Sequence, residues 1–313
     1  MLQGISANDQ LFLDALNVAE TRQSQAETQI SSGLKLNTPS DDPDAIGPSL
    51  ALRAQLAQTQ QVETNLGQFT SEADTAEQAI SNAVQVLQQA NVLATQGATE
   101  TETPAQRQAL AAQVQGLLGQ MVATANTQSN GRYLFSGDTD QVAPFSIDGA
   151  GNVGGYYGSA STRQAIDSDG SNFLIARSGQ EIFQAQGGSA LGALSNLMNA
   201  LNDAPSVPQS DPDYNQQYED QTQAITNALG EVQQASDQVN QQLAFYGTVQ
   251  QNLTNATNNA QNLDVNLQTQ LSSLDDADVT TDAIELTESN TQIDAALSAR
   301  AKLPTTTLFD YLG

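Results

Sequence analysis

The stretch LGQFTSEADTAEQAISNAVQVLQQANVLA, residues 66–94, carries apolar or small residues at alternating steps of three and four. These positions lie along one face of a helix: Leu66, Phe69, Ala73, Ala76, Ile80, Ala83, Leu87, Ala90 and Ala94. The spacing is a heptad repeat, which predicts a helix that packs lengthwise against another helix. At a rise of about 1.5 Å per residue, the segment would be roughly 43 Å long.

A second seam in the C-terminal third continues the same alternation of three and four. Its members are Val232, Ala235, Val239, Tyr246, Val249, Leu253, Ala256, Ala260, Leu263, Leu267 and Leu274. Gln242 and Gln270 occupy the two seam positions that break the apolar pattern. Burial of apolar surface contributes about 25 cal/mol per Å², and each alanine buries little area, so its contribution is small. We therefore expect these rods to be marginally stable alone and to need partners.

The middle of the chain differs from both ends. Two shorter helices are predicted over residues 106–126 and 190–201 from their apolar spacing. Between them, residues 131–186 are rich in turn pairs such as Asn130-Gly131, with short β-type runs between the turns. The predicted fold class is mainly α with a small β-rich insertion, and the N- and C-terminal thirds form a long antiparallel helical bundle.

Three parts of the chain are predicted from this organisation. Residues 1–40 and 276–313 form a terminal helical assembly domain. The long-helix rod domain comprises residues 41–130 and 188–275. Residues 131–187 form the β-rich outer insertion.

The composition argues against several classes of function. The 313 residues include 35 Asp and Glu against nine Lys and Arg, a formal net charge of −26. Nucleic acid and anionic membrane surfaces both require a basic footprint, so neither is an expected partner. The chain has no Cys, His or Trp, which removes thiol catalysis, the commonest general base and the commonest transition-metal ligand. We expect no enzyme activity, catalytic residue, metal or cofactor.

Membrane insertion and a cleaved secretory signal are not expected either. No apolar run approaches the roughly 20 residues that a spanning helix needs. The first six residues, MLQGIS, lack the basic and apolar regions of a cleaved signal. We expect a cytosolic protein or one exported by a route that does not use such a signal.

Three groups of acidic residues permit both a functional and a simpler interpretation: Asp41, Asp42 and Asp44; Asp167 and Asp169; and Asp275, Asp276 and Asp278. The first group could be paired acid/base carboxylates, but capping at a helix start explains it. The second resembles a fragment of a Ca²⁺ loop, yet Ala176 stands where the loop needs glutamate, which favours a turn. The third could bind a cation, and a solvated bend between helices is the favoured alternative.

The segment ISSGLKLNTPSDDP, residues 30–43, predicts a helix, a bend and a second helix. Gly33 suits a helix end, residues 40–42 can cap the next helix, and Pro43 suits its first position. As a string, the segment resembles the N-terminal signature of the flagellin superfamily, and Leu274-Asp275-Asp276-Ala277-Asp278 resembles its C-terminal signature. The matching residues are Ser32, Gly33, Asn37, Pro39, Ser40, Asp41, Asp42, Pro43, Asp276, Ala277 and Asp278.

Two strings in the middle are similar to the hook-associated protein 3 family rather than to flagellin. The first is NGRYLFSG, residues 130–137, and the second is SGQEIF, residues 178–183. The residues that carry the first match are Gly131, Arg132, Tyr133, Phe135 and Gly137. The ending LFDYL, residues 308–312, also fits that family better.

The resemblance implies a structural component of the bacterial flagellum, located outside the cell after export through the flagellar type III system. It implies a junction protein between hook and filament that gives flagellin a template for assembly. The implied partners are a ring of copies of the chain, the proximal junction protein (hook-associated protein 1), flagellin, and a cytosolic export chaperone at the C-terminal helix. No nucleic acid and no membrane insertion are implied.

Coupled folding and docking is the implied mechanism of assembly. We expect residues 2–34 and 284–303, which are weakly apolar helices, to be disordered in the monomer and to fold on assembly. Limited proteolysis should then leave a core of roughly residues 45–270. The candidate docking residues are Leu2, Ile5, Leu11, Leu13, Leu16, Ile293, Leu297, Leu308 and Leu312.

Two other functions remain open from the sequence. One is a filament flagellin, and the other is a surface adhesin with a sugar-binding β domain. The acidity also has two interpretations. It can reflect solubility in an acidic or saline habitat, or it can keep monomers apart by self-repulsion before assembly.

Overall fold

The computed structural model of this chain describes residues 7–149, 151–168 and 170–302. The described chain falls into two compact units. The terminal unit comprises residues up to 59 together with those from 262, and the central unit comprises Gln60–Gln261. The three-part division expected from the sequence stays a prediction.

Helices make up most of the described chain, as predicted. They are α1 Ala7–Ser32, α2 Pro43–Gly97, α3 Pro104–Ala125, α4 Gly179–Phe183, α5 Ala190–Asn202, α6 Tyr214–Asp275 and α7 Val279–Ala301. The strands are β1 Gln128–Ser129, β2 Arg132–Tyr133, β3 Gln164–Ile166 and β4 Asn172–Leu174. Among the described residues, no helix combines the length and apolarity needed to cross a membrane.

The seam predicted along α2 forms the core of the central unit. Every seam residue is buried except Phe69, which is half-buried. On α6 the seam is buried from Val232 to Ala260, and Gln242 lies in it with its Oε1 accepting a hydrogen bond from Arg177 at 3.0 Å. A buried amide needs such a partner, because a missing hydrogen bond costs about 1–3 kcal/mol. The predicted pairing of long helices is thereby confirmed for the central unit.

The direction of that pairing follows from the hydrogen bonds of two side chains of α6. The Tyr218 hydroxyl contacts the carbonyl of Glu102 at 2.7 Å, just beyond the end of α2. Farther along α6, the Gln250 amide donates to Asp74 at 2.9 Å and Glu77 at 2.6 Å. Residue numbers rise along α6 as they fall along α2, so the two helices run antiparallel in the central unit.

The insertion contains less β structure than its sequence predicts. The described strands form two separate two-stranded antiparallel sheets, β1 with β2 and β3 with β4. Asn130 and Gly131 both have positive φ, 51° and 76°, which suits the tight turn between β1 and β2. The β-type run at 132–135 pairs over only its first two residues, since Leu134 and Phe135 turn into the core. The short helix α4 was not predicted.

Candidate assembly surface

The two sequence signatures from opposite ends of the chain are hydrogen-bonded to each other. We call this contact the clasp and define it as residues 33–36 and 275–278. The Ala277 N–H donates to the Gly33 carbonyl at 3.0 Å, and the Lys35 N–H donates to the Asp275 carbonyl at 2.7 Å. Leu34 and Asp276 form an antiparallel bridge between these two bonds. Gly33 has a φ of 72°, the left-handed conformation that ends α1 and turns the chain into the clasp.

Asp275 is the buried anchor of the clasp, and the prediction of a wholly solvated bend is wrong at this residue. Its side chain is buried, and its Oδ2 accepts hydrogen bonds from Arg53 Nη2 at 2.6 Å and Arg53 Nε at 3.2 Å. The Ser49 hydroxyl donates to the same oxygen at 3.0 Å. These charge-assisted bonds offset the burial of Oδ2, whereas Oδ1 is buried without a hydrogen-bond partner. Asp276 and Asp278 are exposed, as expected.

The loop between α1 and α2 is organised by its own side chains. Asp41 Oδ2 accepts from the N–H groups of Asn37 at 2.9 Å and Thr38 at 2.6 Å. These bonds favour the charged carboxylate and lower the pKa of Asp41, with the backbone of Thr38 as the main cause. Asp42 Oδ1 accepts from the Ala45 N–H at 3.2 Å and caps α2. Capping at the helix start is therefore confirmed for Asp42, whereas Asp41 organises the loop before it and the role of Asp44 stays a prediction.

The same capping chemistry stands at the start of α7. Asp278 Oδ1 accepts from the N–H groups of Thr280 at 3.0 Å and Thr281 at 3.3 Å. Its Oδ2 accepts from the Thr281 hydroxyl at 2.9 Å. Hydrogen bonding to Thr281 lowers the pKa of Asp278. Both connections next to the clasp are thus held by carboxylates in their charged form.

The helices α1 and α7 pack together and leave several of their large apolar side chains exposed, while others, such as Leu16 and Ile293, are half-buried. Between residues 10 and 32, only Ala19 and Ala26 are buried, and the buried side chains of α7 are Asp282 and Ser289. The exposed set consists of Leu11 at 67%, Leu13 at 44%, Val18 at 51%, Val279 at 52%, Ile284 at 58% and Leu297 at 51%. A helix of a self-contained core would bury more of its apolar residues.

The predicted docking residues fall into three groups in the structure. Leu11, Leu13 and Leu297 are exposed on the terminal helices, whereas Leu16 and Ile293 are half-buried. The others lie outside the described residues: Leu2, Ile5, Leu308 and Leu312. Their role in docking stays a prediction.

The insertion motifs build a small aromatic core. Phe135 is fully buried, and its carbonyl accepts from the Gly179 N–H at 2.7 Å and the Tyr156 hydroxyl at 2.8 Å. The Phe135 and Phe183 rings meet edge to face at 5.4 Å. Gly137 has a φ of 63°, and a Cβ there would lie 2.4 Å from the Ser159 carbonyl oxygen. The motif strings are thus explained by packing of the insertion.

The other motif residues at this end have lesser contacts. Arg132 is exposed and its Nε lies 3.5 Å from Asp140 Oδ2. The Tyr133 N–H donates to the Asp140 carbonyl at 2.8 Å. These contacts close the turn after β2.

Three arginines of the central unit were not identified from the sequence. Arg107 is fully buried, with Nη1 donating to Gln221 Oε1 at 2.9 Å and its guanidinium 4.1 Å from the Tyr218 ring centroid. Arg163 pairs with the buried Glu72 at 2.7 Å, and Arg177 lies over the Phe245 ring at 4.2 Å. No local pattern marks these residues, because every partner lies far away along the chain.

Metal-binding geometry is not seen in the described ranges 7–149, 151–168 and 170–302. No group of three or more His, Cys, Asp or Glu residues there could hold a metal ion. At the Asp167 turn, the carboxylate accepts from the Ser168 N–H at 2.6 Å, which suits a turn. Asp169 lies outside the described residues.

Comparison with known proteins relates the chain to flagellar components. The bacterial flagellin N-terminal helical region matches residues 8–140, and the bacterial flagellin C-terminal helical region matches residues 229–312. Flagellar hook-associated protein 3 of Escherichia coli (strain K12) is 31% identical over 175 residues, which cover 54% of this chain and 54% of that protein. The alignment thus spans about half the length of this relative. Several flagellins also match.

Solved structures share the fold. The crystal structure of Xanthomonas campestris FlgL has a TM-score of 0.60 at 20% identity and covers 71% of this chain and 99% of that one. The flagellar junction protein FlgL from Legionella pneumophila has a TM-score of 0.56 at 15% identity and covers 66% and 99%. The two flagellin regions account for more than half of the chain between them and contain the two signatures that meet in the clasp. This chain therefore belongs to the flagellin superfamily.

Proposed function

We propose that this chain is a structural component of the bacterial flagellum that forms the junction between hook and filament, and that it is not an enzyme. The observation that carries the proposal is the set of large apolar side chains that α1 and α7 leave exposed. Phe12, Leu16 and Ile293 are half-buried, whereas Leu11, Leu13, Val18, Val279, Ile284 and Leu297 are exposed. Such a pair gains further stabilisation when other subunits cover the exposed side chains.

The size of that stabilisation follows from apolar area. Full burial of a Leu, Ile or Val side chain contributes about 1.5–3 kcal/mol relative to full exposure. The six exposed apolar side chains on α1 and α7 are about half exposed, so each has roughly 1 kcal/mol left to gain. Several subunits in a ring add these gains together. This supports a protein whose terminal helices are completed by assembly.

Export and partners follow from the family that the chain resembles. We propose that the chain leaves the cell unfolded through the flagellar type III system and assembles at the end of the hook. Its partners are then further copies of itself, hook-associated protein 1, flagellin, and a cytosolic chaperone on the C-terminal helix. The lack of Cys suits this route, because no disulfide can form in the unfolded chain during translocation.

The acidity suits the same proposal. A net charge of −26 makes monomers repel one another, and this repulsion falls as salt screens it. Monomers then stay apart until the previous layer of the structure offers a template.

Deletion of the gene in its own bacterium tests the function. A strain without the junction keeps its hooks, loses its filaments and releases unpolymerised flagellin into the medium. Restoring the wild-type gene returns the filaments. Intact filaments in the deletion strain would overturn the proposal.

Two aspartate variants test whether the terminal surface carries the assembly. Leu297→Asp places a charge on the exposed face of α7 and is expected to give secreted but unassembled protein. Ile166→Asp, at an equally exposed site on β3, is the matched control and is expected to restore filaments. Loss of filaments in the control alone would contradict the assignment of this surface to α1 and α7.

The filament subunit is the second candidate, because flagellins are among the relatives. It predicts a different outcome in the deletion strain. If the chain forms the filament, the medium of that strain lacks the main flagellin instead of accumulating it. Immunogold labelling then places the protein along the whole filament rather than at its base.

A further inference from the structure

The hairpin of β3 and β4 is bonded to both long helices of the central unit at its base. Arg163 stands just before β3, and Arg177 stands three residues after the end of β4. Arg163 Nη1 donates to Glu72 Oε2 of α2 at 2.7 Å. Arg177 Nη1 donates to Gln242 Oε1 of α6 at 3.0 Å. The two arginines therefore tie one end of the hairpin to α2 and to α6.

A small cavity lies beside the Arg163–Glu72 pair. Its polar side chains come from three parts of the chain, namely Glu72 of α2, Tyr246 of α6 and Arg163 of the insertion, and its other lining side chains are apolar. The volume available to the centre of a water-sized sphere is about 10 Å³. One water molecule needs about 10–15 Å³ measured in this way, together with two to four polar partners. The cavity thus has the size and the polar lining for a single water.

The Tyr246 hydroxyl is a buried donor at this cavity. Its oxygen accepts from the Arg177 N–H at 3.4 Å, and its O–H has no acceptor among the residues that the structure describes. That N–H belongs to the peptide between Ala176 and Arg177, and Ala176 lines the cavity, so the hydroxyl end of the ring lies there. Burial raises the pKa of Tyr246 to about 12, so the group keeps its proton in neutral solution. A buried donor of this kind requires a partner.

The Glu72 carboxylate can accept a further hydrogen bond. Its Oε1 accepts from Gln68 Nε2 at 3.1 Å, and its Oε2 accepts from Arg163. Each carboxylate oxygen has two lone pairs, so neither oxygen is saturated by one donor. A molecule that accepts from Tyr246 and donates to Glu72 would satisfy both groups, and water is small enough to do so.

We propose that the cavity binds one water molecule, which joins the insertion to both long helices. The water accepts from the Tyr246 O–H and from an Arg163 N–H, and it donates to the Glu72 carboxylate. Because these partners belong to α6, the insertion and α2, the water cross-links three parts of the central unit. The site also accounts for a tyrosine in the apolar seam of α6, where phenylalanine would fill the same space without a donor. This inference does not depend on which flagellar part the chain forms.

A high-resolution crystal structure of the full chain tests the site directly. We expect one ordered water at hydrogen-bonding distance, about 2.7–3.2 Å, from Tyr246 Oη and from at least one of Glu72 and Arg163. A dry cavity, a direct hydrogen bond from Tyr246 to Glu72, or a water that contacts Tyr246 alone would overturn the proposal.

Tyr246→Phe tests the site in solution, because it keeps the ring and removes the donor. Oxygen-17 relaxation dispersion of the full chain, which detects long-lived buried water, is expected to show one such molecule fewer in this variant than in wild type. Tyr157→Phe, at an exposed tyrosine, is the control and is expected to leave the number unchanged. An unchanged number in Tyr246→Phe, or the same loss in the control, would overturn the proposal.

Amide hydrogen exchange tests whether the water links the insertion to the helices. The Ile175 N–H donates to the Arg163 carbonyl at 3.0 Å and reports on the base of the hairpin. In Tyr246→Phe it is expected to exchange about tenfold faster than in wild type, because local opening there loses a buried hydrogen bond. The amide of Leu87 in α2 is the reference and is expected to keep its rate. An unchanged rate at Ile175, or equal acceleration at both amides, would overturn the role of the water as a link.

Discussion

The central and terminal units are both built from helices packed side by side, yet they differ in how completely they bury large apolar side chains. In the central unit Ile80, Leu87 and Leu118 are fully buried. In the terminal unit Ala26 lies inside and Leu297 lies outside. Long helices alone therefore do not make a stable unit. The central unit has a core of its own, and under the proposed function the terminal helices gain further stabilisation from another subunit.

The largest expected effect is on the core of the central unit. Leu87→Ala removes a fully buried leucine from the α2 seam and leaves a cavity. Such a change costs about 2–5 kcal/mol of the free energy of unfolding. Urea unfolding of the full chain, followed by circular dichroism, measures it. A cost below about 1 kcal/mol would contradict the view that this seam holds the central unit together.

The next effect concerns the buried arginine of α3. Arg107→Leu leaves the buried Gln221 Oε1 without the donor that it has at 2.9 Å. We expect a loss of about 1–3 kcal/mol, the cost of an unsatisfied buried acceptor. Arg132→Leu is the control at an exposed arginine with only a long contact to Asp140, and it should change stability by less than about 0.5 kcal/mol. Equal losses in both variants would mean that Arg107 acts through its charge alone.

The sequence revealed local periodicity well and long-range pairing poorly. The seam from Leu66 to Ala94 could be predicted because each step of three or four returns to the same helix face. Short strands between turns could be predicted in the insertion, but pairs such as Asn130-Gly131 mark turns without saying how far the strands pair. Burial of Asp275 depends on Arg53, which is 222 residues away in sequence, and no local pattern contains that pair.

In the candidate assembly surface, too, local features could be predicted from the sequence and long-range contacts could not. The two end signatures could be recognised as strings, and capping by Asp42 follows from its place before Pro43. Their meeting in the clasp could not be predicted, because it joins residues more than 240 positions apart. Gln242 was noted as a break in the seam, but only the fold reveals Arg177 as its partner.

A smaller effect is expected from pH, and it concerns the terminal unit. The pKa of Asp278 is lowered in the folded chain by its bonds to Thr281. A carboxyl with a depressed folded pKa stabilises the fold above its unfolded pKa, near 3.9, and this contribution is lost as pH falls through the folded pKa. The protection factors of the amides in the first turn of α7, which compare exchange with the intrinsic rate at each pH, should therefore fall below about pH 4. Asp278→Asn should weaken this added pH dependence, and an unchanged profile would contradict the assignment to Asp278.

The smallest effect on the monomer is expected when leucine is replaced by alanine at an exposed site of the terminal unit. Leu297→Ala removes the same atoms as Leu87→Ala, but Leu297 is exposed on α7, so little buried area is lost. The free energy of unfolding of the monomer should change by less than about 0.5 kcal/mol. In the assembled state the covered side chain contributes, so the variant should dissociate at a lower denaturant concentration than wild type. A large loss in the monomer would show that α7 already buries Leu297 without a partner, and the contrast between the two units would fail at its clearest point.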